Sequence, residues 1–305
     1  MDIHTHKLYS RFPEELFPAS DVSSYNKSLL TGMKVASKCN ILITGLCRNI
    51  IGTLDHTIAR LYHTASFFRD YRFVVYENDS IDGTSESILN HSIKDDKFLL
   101  IQENTGHKHF VGGREVERPK YLASLRNKCH TYIESLAYKP DFVIVIDLDL
   151  LGGWSYDGIM NSLAYGDLGW GAMTANGLQF RQKTITRKLA GVPDQELSEV
   201  ERLFFDTWAY RDYGDEKLKI CDIVNLYRFE RGDPPIGVFS NFNGLGIYRP
   251  ESIKGVQFGA EENKDGSVTN EWSYFHREMR KRGEDIFLNP SLITLYSPHE
   301  FSLKV

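Results

Sequence analysis

The sequence predicts an α/β fold: a single domain with a mixed, mostly parallel central sheet flanked by helices. Three observations lead there. Short apolar runs of strand length recur at residues 40–47 (NILITGLC), 71–76 (YRFVVY), 98–102 (FLLIQ) and 142–150 (FVIVIDLDL). Segments of helical period stand between them, which calls for crossover connections and parallel neighbours. Polar clusters close the runs at the ends where an open parallel sheet binds its ligands.

Residues 1–39 are polar and weakly periodic, and read as an extension that packs on the domain or is partly disordered. The run at 40–47 is the first strand. The next, 71–76, passes into ENDSIDGTSESI, in which Asp79, Asp82 and Gly83 supply a turn, Thr84 is a plausible N-cap and an amphipathic helix follows. After the strand at 98–102, KYLASLRNKCHTYIESL carries apolar residues at helical spacing and leads into FVIVIDLDL. That last run is apolar enough for a strand covered on both faces, so Asp147 and Asp149 emerge at its open end. Side chains two apart on a strand share a face, and two carboxylates there suit one hard divalent cation and the phosphates it carries. Asp-x-Asp also occurs at strand ends as a plain turn feature.

The order of these motifs resembles the nucleotide-sugar half of the GT-A glycosyltransferases, a Rossmann-like fold. ENDSIDGT, IDLDL and a late SNFNGLGIYRPESI are most similar to the fungal capsule-associated α-1,3-mannosyltransferase-like family and its bacterial and viral relatives. The resemblance covers residues 40–296. It implies a GT-A domain over residues 40–300, with 40–150 as the nucleotide-sugar half and 151–300 as the acceptor half. The full Asp-x-Asp departs from the shorter acidic variant expected of the fungal proteins, so the donor sugar is not carried over.

The resemblance also implies roles. Asp149 is the expected direct ligand of Mn²⁺ or Mg²⁺, with Asp147 bound through water or holding the ribose, and His299 in LYSPHE as a third ligand; a solvated histidine near the terminus is the alternative. Asp79 faces the base, and Leu46, Arg48 and Asn49 lie along the ribose. Arg126 in LRNKC is set to pair with phosphate oxygens, or else makes an ion pair with a neighbour such as Glu134. Glu271, at the start of a helix marked by Trp272, Phe275 and Met279, faces the acceptor hydroxyl as base or orienting group, with Glu261 and Glu262 as rivals. The helix dipole alone would favour an acid there. Asn243 is set to bond a donor hydroxyl, or simply forms a hairpin turn. Asp82 is explained by its turn, and His276 reads as structural.

Composition narrows the classes. A net charge of −5 and the lack of dense Lys/Arg runs argue against a nucleic-acid partner; KTITRK at 183–188 is a local patch. Cys39, Cys47, Cys129 and Cys221 have no CxxC spacing, so neither a zinc site nor a disulfide framework is expected. No apolar stretch has transmembrane length and the N-terminus has no signal-peptide pattern, so a cytoplasmic location is expected. Aromatics crowd residues 151–240, and Trp154, Trp170, Trp208 and Tyr210 are available as sugar platforms or core filling. Residues 181–201 are polar and suit a mobile lid. The expected partners are a nucleotide diphosphate sugar and a saccharide or glycan acceptor. A nucleotidyltransferase would use the same carboxylate and metal logic, but GLCRNIIGT is a poor phosphate loop. A catalytically silent sugar-nucleotide-binding protein is the other alternative.

Overall fold

A computed structural model describes residues 11–108, 110, 117–187, 195–214, 221–262 and 268–297. In chain order its elements are α1 (Val22–Ala36), β1 (Asn40–Cys47), α2 (Ile51–Ala65), β2 (Asp70–Asn78), α3 (Thr84–Lys94), β3 (Phe98–Glu103), α4 (Glu117–Ser135), β4 (Phe142–Ile146), β5 (Gly153–Trp154), α5 (Tyr156–Leu163), β6 (Ala172–Arg187), β7 (Gln195–Phe204), β8 (Arg211–Asp212), α6 (Cys221–Val224), β9 (Ile236–Ser240), β10 (Leu245–Tyr248), α7 (Pro250–Ile253), α8 (Glu271–Arg280) and β11 (Ile286–Leu295). No described helix is long and apolar enough to cross a membrane.

The strands form one sheet in the order β3-β2-β1-β4-β10-β6-β11-β9-β8, with β5 on β11 and β7 on β6. The first four are parallel. Beyond them the sheet is mixed: β10 runs antiparallel between β4 and β6, β6 and β11 are parallel, and β9 is antiparallel to β11. The sheet is thus mixed, as the sequence predicted, with parallel pairing continuous over the first four strands and recurring between β6 and β11. Because β10 is reversed, it begins where β4 ends, with Leu245 opposite Ile146. That reversal brings a late segment of the chain against the open end of the parallel strands.

Alternation along the strands divides the core into two layers. Ile41 and Ile43 of β1 pack with Phe73, Val75, Ile144 and Ile146 beneath α2 and α5. Leu42, Val74 and Val143 face the other way, into a cluster that includes Trp272, Phe275 and Met279 of α8. The extension joins the first layer through α1, which Asp21 caps by accepting bonds from Ser23 N and Ser24 N at 3.0 and 3.1 Å. A Cβ on Gly32 of α1 would lie 1.6 Å from the backbone oxygen of Met160 in α5. Gly32→Ala is therefore expected to destabilise the fold by about 1–3 kcal/mol, read as a lower thermal midpoint; an unchanged midpoint would show that the two helices do not cross there.

Three elements differ from the sequence reading. Thr84 is not the cap of α3: Gly83, at φ 95°, holds that position. The Thr84 hydroxyl accepts instead from Ile50 N at 2.8 Å and ties α2 to α3. In sequence, residues 286–288 read as a strand that ends before Asn289-Pro290; β11 instead continues to Leu295, with a register shift between Leu288 and Ile293 because Pro290 has no N–H for the ladder. Finally, the segment expected to be a mobile lid is largely a two-stranded ribbon, in which β6 and β7 pair from Leu178–Phe204 out to Arg187–Gln195; residues 188–194 lie outside the described residues.

Candidate functional site

The open ends of β1, β2 and β4 and the start of β10 converge on one cleft, and the loops there are fixed by hydrogen bonds rather than by apolar packing. Asn49 takes a left-handed φ of 53°, its N–H donates to Ser80 Oγ at 2.9 Å, and its side-chain oxygen accepts from Ile81 N at 2.9 Å. Asp82 accepts from Ile51 N and Thr84 N, each at 3.0 Å, which gives it the structural role its turn suggested. Arg48 donates to the carbonyl of His107 at 2.9 Å. Leu46 packs on Tyr76, Leu125 and Cys129.

Asp79, also left-handed at φ 52°, gathers the next loop. Its carboxylate accepts from Gly106 N at 2.9 Å, from Asn78 Nδ2 at 2.8 Å and from the hydroxyl of Thr105. Burial would raise its pKa, but the bonds from Thr105, Asn78 and Gly106 outweigh that and hold it down at about 2.

Asp147 and Asp149 lie just past the last residue of β4, in the turn that follows. Asp147 N extends the ladder by one bond, to Gly244 O at 2.9 Å. Asp149 is reached by solvent yet closely surrounded by protein, the combination a concave cleft produces. Burial first, and the charge of Asp147 second, push its carboxyl up to about 6.

From α4, Arg126 donates to Asp147 Oδ1 at 3.3 Å, and its Nε stands 3.5 Å from Glu271 Oε1. Its guanidinium lies 4.5 Å over the Trp272 ring and 5.5 Å from that of Phe242, two rings stacked at 3.6 Å. Burial would lower the Arg126 pKa, but Asp147 and Glu271 raise it, so the group stays charged. Glu271, the first residue of α8, is 3% exposed, and its second oxygen is buried with no hydrogen-bond partner among the described residues. Burial raises its pKa against the opposing charge of Arg126. The rivals lie elsewhere: Glu261 pairs with Arg277 at 2.7 Å, and Glu262 forms a bridge with Val268.

Asn243 and Gly244 are both left-handed, at φ 52° and 81°, and Leu245 N donates to Phe242 O at 3.3 Å. That is the pattern of a type I′ turn, for which Asn-Gly is the preferred pair. The strands it joins do not pair with each other, so it is not a hairpin. Both polar atoms of the Asn243 side chain are engaged: Nδ2 donates to Asn241 Oδ1 at 2.7 Å, and Oδ1 accepts from Asp206 N at 2.8 Å. Gly177 leaves room for this, since a Cβ there would meet Asn243 Oδ1 at 2.2 Å.

Asp206 brings a further carboxylate to the cleft. Phe205 stacks on Tyr296 at 3.6 Å, and Asp206 feels the charges of Asp147 and Glu271. Arg118, eight residues before Arg126 and so about two turns away on α4, acts electrostatically on both Asp149 and Glu271. Asp206, Arg118 and Tyr296 were not singled out from the sequence. In sequence, Asp206 lies in the aromatic stretch of residues 151–240 with nothing to distinguish it, and the helical repeat through Arg126 points back to Arg118. His299 lies outside the described residues. Of the proposed sugar platforms, Trp154, Trp170 and Tyr210 are core residues, and Trp208 is only half-buried. His276 is fully buried between Ser240 Oγ and Tyr248 OH, each at 3.0 Å, and burial pushes its pKa down to about 3.

As a cation site, the Asp147–Asp149 turn has the right donor chemistry. The charge of Asp147 adds to the cost of ionising Asp149, and Asp149 has no hydrogen-bond donor from another residue among those described. Among the described residues, no group of three or more His, Cys, Asp or Glu side chains is arranged to hold a metal by itself. The remaining ligands would come from phosphate, water or a residue outside that set.

No protein-family model matches the chain, and no curated protein matches it. Among solved structures it is similar to the mannosyltransferase PcManGT from Pyrobaculum calidifontis, solved with GDP-Man and Mn²⁺, at 11% identity over 90% of this chain and 65% of that one, with a TM-score of 0.44. It is also similar to residues 1–349 of S. aureus TarS, at 13% identity over 84% of this chain and 60% of that one, TM-score 0.43. The complex of the same TarS region with UDP-GlcNAc gives 12% identity, 87% and 61% coverage, and a TM-score of 0.44. The chain thus spans between 60% and 65% of the length of these structures.

Proposed function

We propose that the chain is a metal-dependent glycosyltransferase that moves a hexose from a nucleotide diphosphate sugar to a hydroxyl of a saccharide. The observation that carries this reading is the contact of Asp147 with the buried Arg126–Glu271 pair, two residues before Asp149, at the open end of a parallel sheet. Acids for a cation and arginines for phosphate oxygens, in one cleft, suit a diphosphate leaving group better than any uncharged substrate. In this reading Asp149 and Asp147 hold Mn²⁺ or Mg²⁺, with His299 as a further ligand. The bound ion supplies positive charge that offsets the charge developing on the diphosphate as the glycosidic bond breaks.

The other residues bind and orient. Arg126 keeps its charge in the interior because two acids flank it, and it holds Asp147 toward the cleft while presenting its remaining donors to phosphate. The loops tied by Asn49, Asp79 and Arg48 form the rim against which base and ribose lie. Asn243 acts through its turn: it fixes Asp147 by way of Gly244 O and fixes Asp206 by its own side chain. Glu271 keeps Arg126 in position from the acceptor side and leaves one buried oxygen for a hydroxyl donor.

The test is turnover. UDP-glucose, UDP-GlcNAc and GDP-mannose, each with Mn²⁺ and with water or simple glycosides as acceptor, are assayed for release of nucleoside diphosphate. Release from at least one donor, absent in Asp149→Asn, is expected. Binding of the nucleotide without turnover of any donor would favour a silent sugar-nucleotide-binding protein.

A further inference from the structure

We propose that Asp206 is the general base that takes the proton from the attacking hydroxyl, where the family resemblance implied Glu271 as base or orienting group; this inference rests on the transfer reading above. The two acids differ in what they are free to do. Glu271 is 3% exposed and committed to Arg126 at 3.5 Å. Taking up a proton there would remove the charge that compensates a buried guanidinium. Asp206 has no cation partner among the described residues. Its carboxylate accepts from Ala209 N at 3.2 Å and from the backbone N–H of Asn243, neutral donors that leave it free to take up a proton. The side chain is half-buried, so solvent and an acceptor reach it.

Its position is well determined. Asp206 N donates to Asn243 Oδ1, Asn243 Nδ2 donates to Asn241 Oδ1, and Asn241 Nδ2 donates to Thr174 Oγ1 and Ala175 O at 2.9 and 2.7 Å. The preceding ring of Phe205 is fixed on Tyr296. Asp147 hangs from the same turn, through Gly244 O, so the base and the metal-facing acid share one support. A base and a leaving-group site built on one turn keep their separation when the rest of the cleft moves. The charged and titratable groups that face Asp206 are Asp147, Glu271 and Tyr296. Burial, reinforced by Asp147 and Glu271 and opposed by the bonds from Ala209 N and Asn243 N, pushes its carboxyl up to about 6, ionised at neutral pH yet basic enough to accept a proton.

The step balances. The acceptor oxygen forms a bond to the anomeric carbon and its proton passes to the Asp206 carboxylate. The bond from that carbon to the diphosphate oxygen breaks, its electron pair leaving with the nucleoside diphosphate, and Asp206 returns the proton to solvent.

The experiment compares wild type with Asp206→Asn, Asp206→Ala and Asp206→Glu on UDP-glucose, UDP-GlcNAc and GDP-mannose, and measures UDP and GDP affinity with Mn²⁺ by calorimetry. Asp206→Asn is expected to lose about 10²–10⁴-fold in kcat while nucleoside diphosphate affinity changes by less than about threefold. Asp206→Glu should recover part of the rate, and added formate should raise the rate of Asp206→Ala, since a small carboxylate can stand in for the missing one. A kcat for Asp206→Asn within about threefold of wild type, a rate loss matched by lost nucleotide affinity, or no response of Asp206→Ala to formate overturns the assignment. If wild type cleaves none of the donors, the transfer reading itself fails, a separate result seen before any variant is made.

Discussion

Replacing Arg126 by methionine is expected to destabilise the protein by about 3–5 kcal/mol at neutral pH, because it leaves Glu271 ionised and buried with no counter-charge. Methionine fills most of the volume and keeps a contact on Trp272, so the loss is electrostatic rather than a cavity. A second substitution separates these causes. Arg126→Met combined with Glu271→Gln should recover most of the stability, since a buried ion pair replaced as a unit costs little. The pH dependence has a definite sign. Without Arg126, the folded-state pKa of Glu271 stands further above its unfolded value than it already does. Stability is then present at low pH and lost as pH rises through that folded value, so the defect should shrink on acidification. Thermal melts of the three proteins at two pH values measure this. A single variant as stable as wild type at neutral pH would contradict the Arg126–Glu271 geometry.

Asp149→Asn is expected to have two opposite effects. In metal-free buffer at pH 7.5 it should stabilise the protein, because Asp149 is held ionised against burial and against Asp147. Discounted for the solvent that reaches the side chain, the gain is roughly 1 kcal/mol, or about 2 °C in the midpoint. Its folded pKa of about 6 lies above the unfolded value, so the charged form costs stability only as pH rises through that range, and the gain should vanish near pH 4. The same substitution should remove at least tenfold of Mn²⁺-supported nucleotide binding. A residue stabilised by its own removal but required for a ligand marks a site kept for function.

The parallel half of the fold was legible because each strand there is a continuous apolar run: NILITGLC, YRFVVY, FLLIQ and FVIVIDLDL became β1, β2, β3 and β4 within a few residues. The antiparallel half was not. LGIY reads equally well in either direction, and only tertiary pairing sets β10 against β4 and so places the Asn243 turn beside Asp147. The ribbon of β6 and β7 was hidden for another reason. KTITRK and QELSEVE are polar on both faces, so no period marks them as strands. In the cleft, the acids read from the sequence lie near one another: Asp147 and Glu271 pair with Arg126, and Asp149 feels the charges of Asp147 and Arg126. Asp206 escaped notice because its partners, Asn243 and Tyr296, are 37 and 90 residues away in the chain. The side chain of Asn243 illustrates the limit of motif reasoning. Its residue type allows a bond to a sugar, while its actual bonds, to Asn241 and Asp206, are internal.

The central claim is that Asp147 and Asp149 hold a divalent cation that carries a nucleoside diphosphate. Calorimetric titration of UDP and GDP into wild type and Asp149→Asn, at pH 7.5 with and without Mn²⁺, tests it most directly. The account predicts that one of the two nucleotides binds wild type at least tenfold more tightly with Mn²⁺ and that Asp149→Asn abolishes the difference. Equal affinity with and without the metal, or a Mn²⁺ effect that survives in Asp149→Asn, would contradict it.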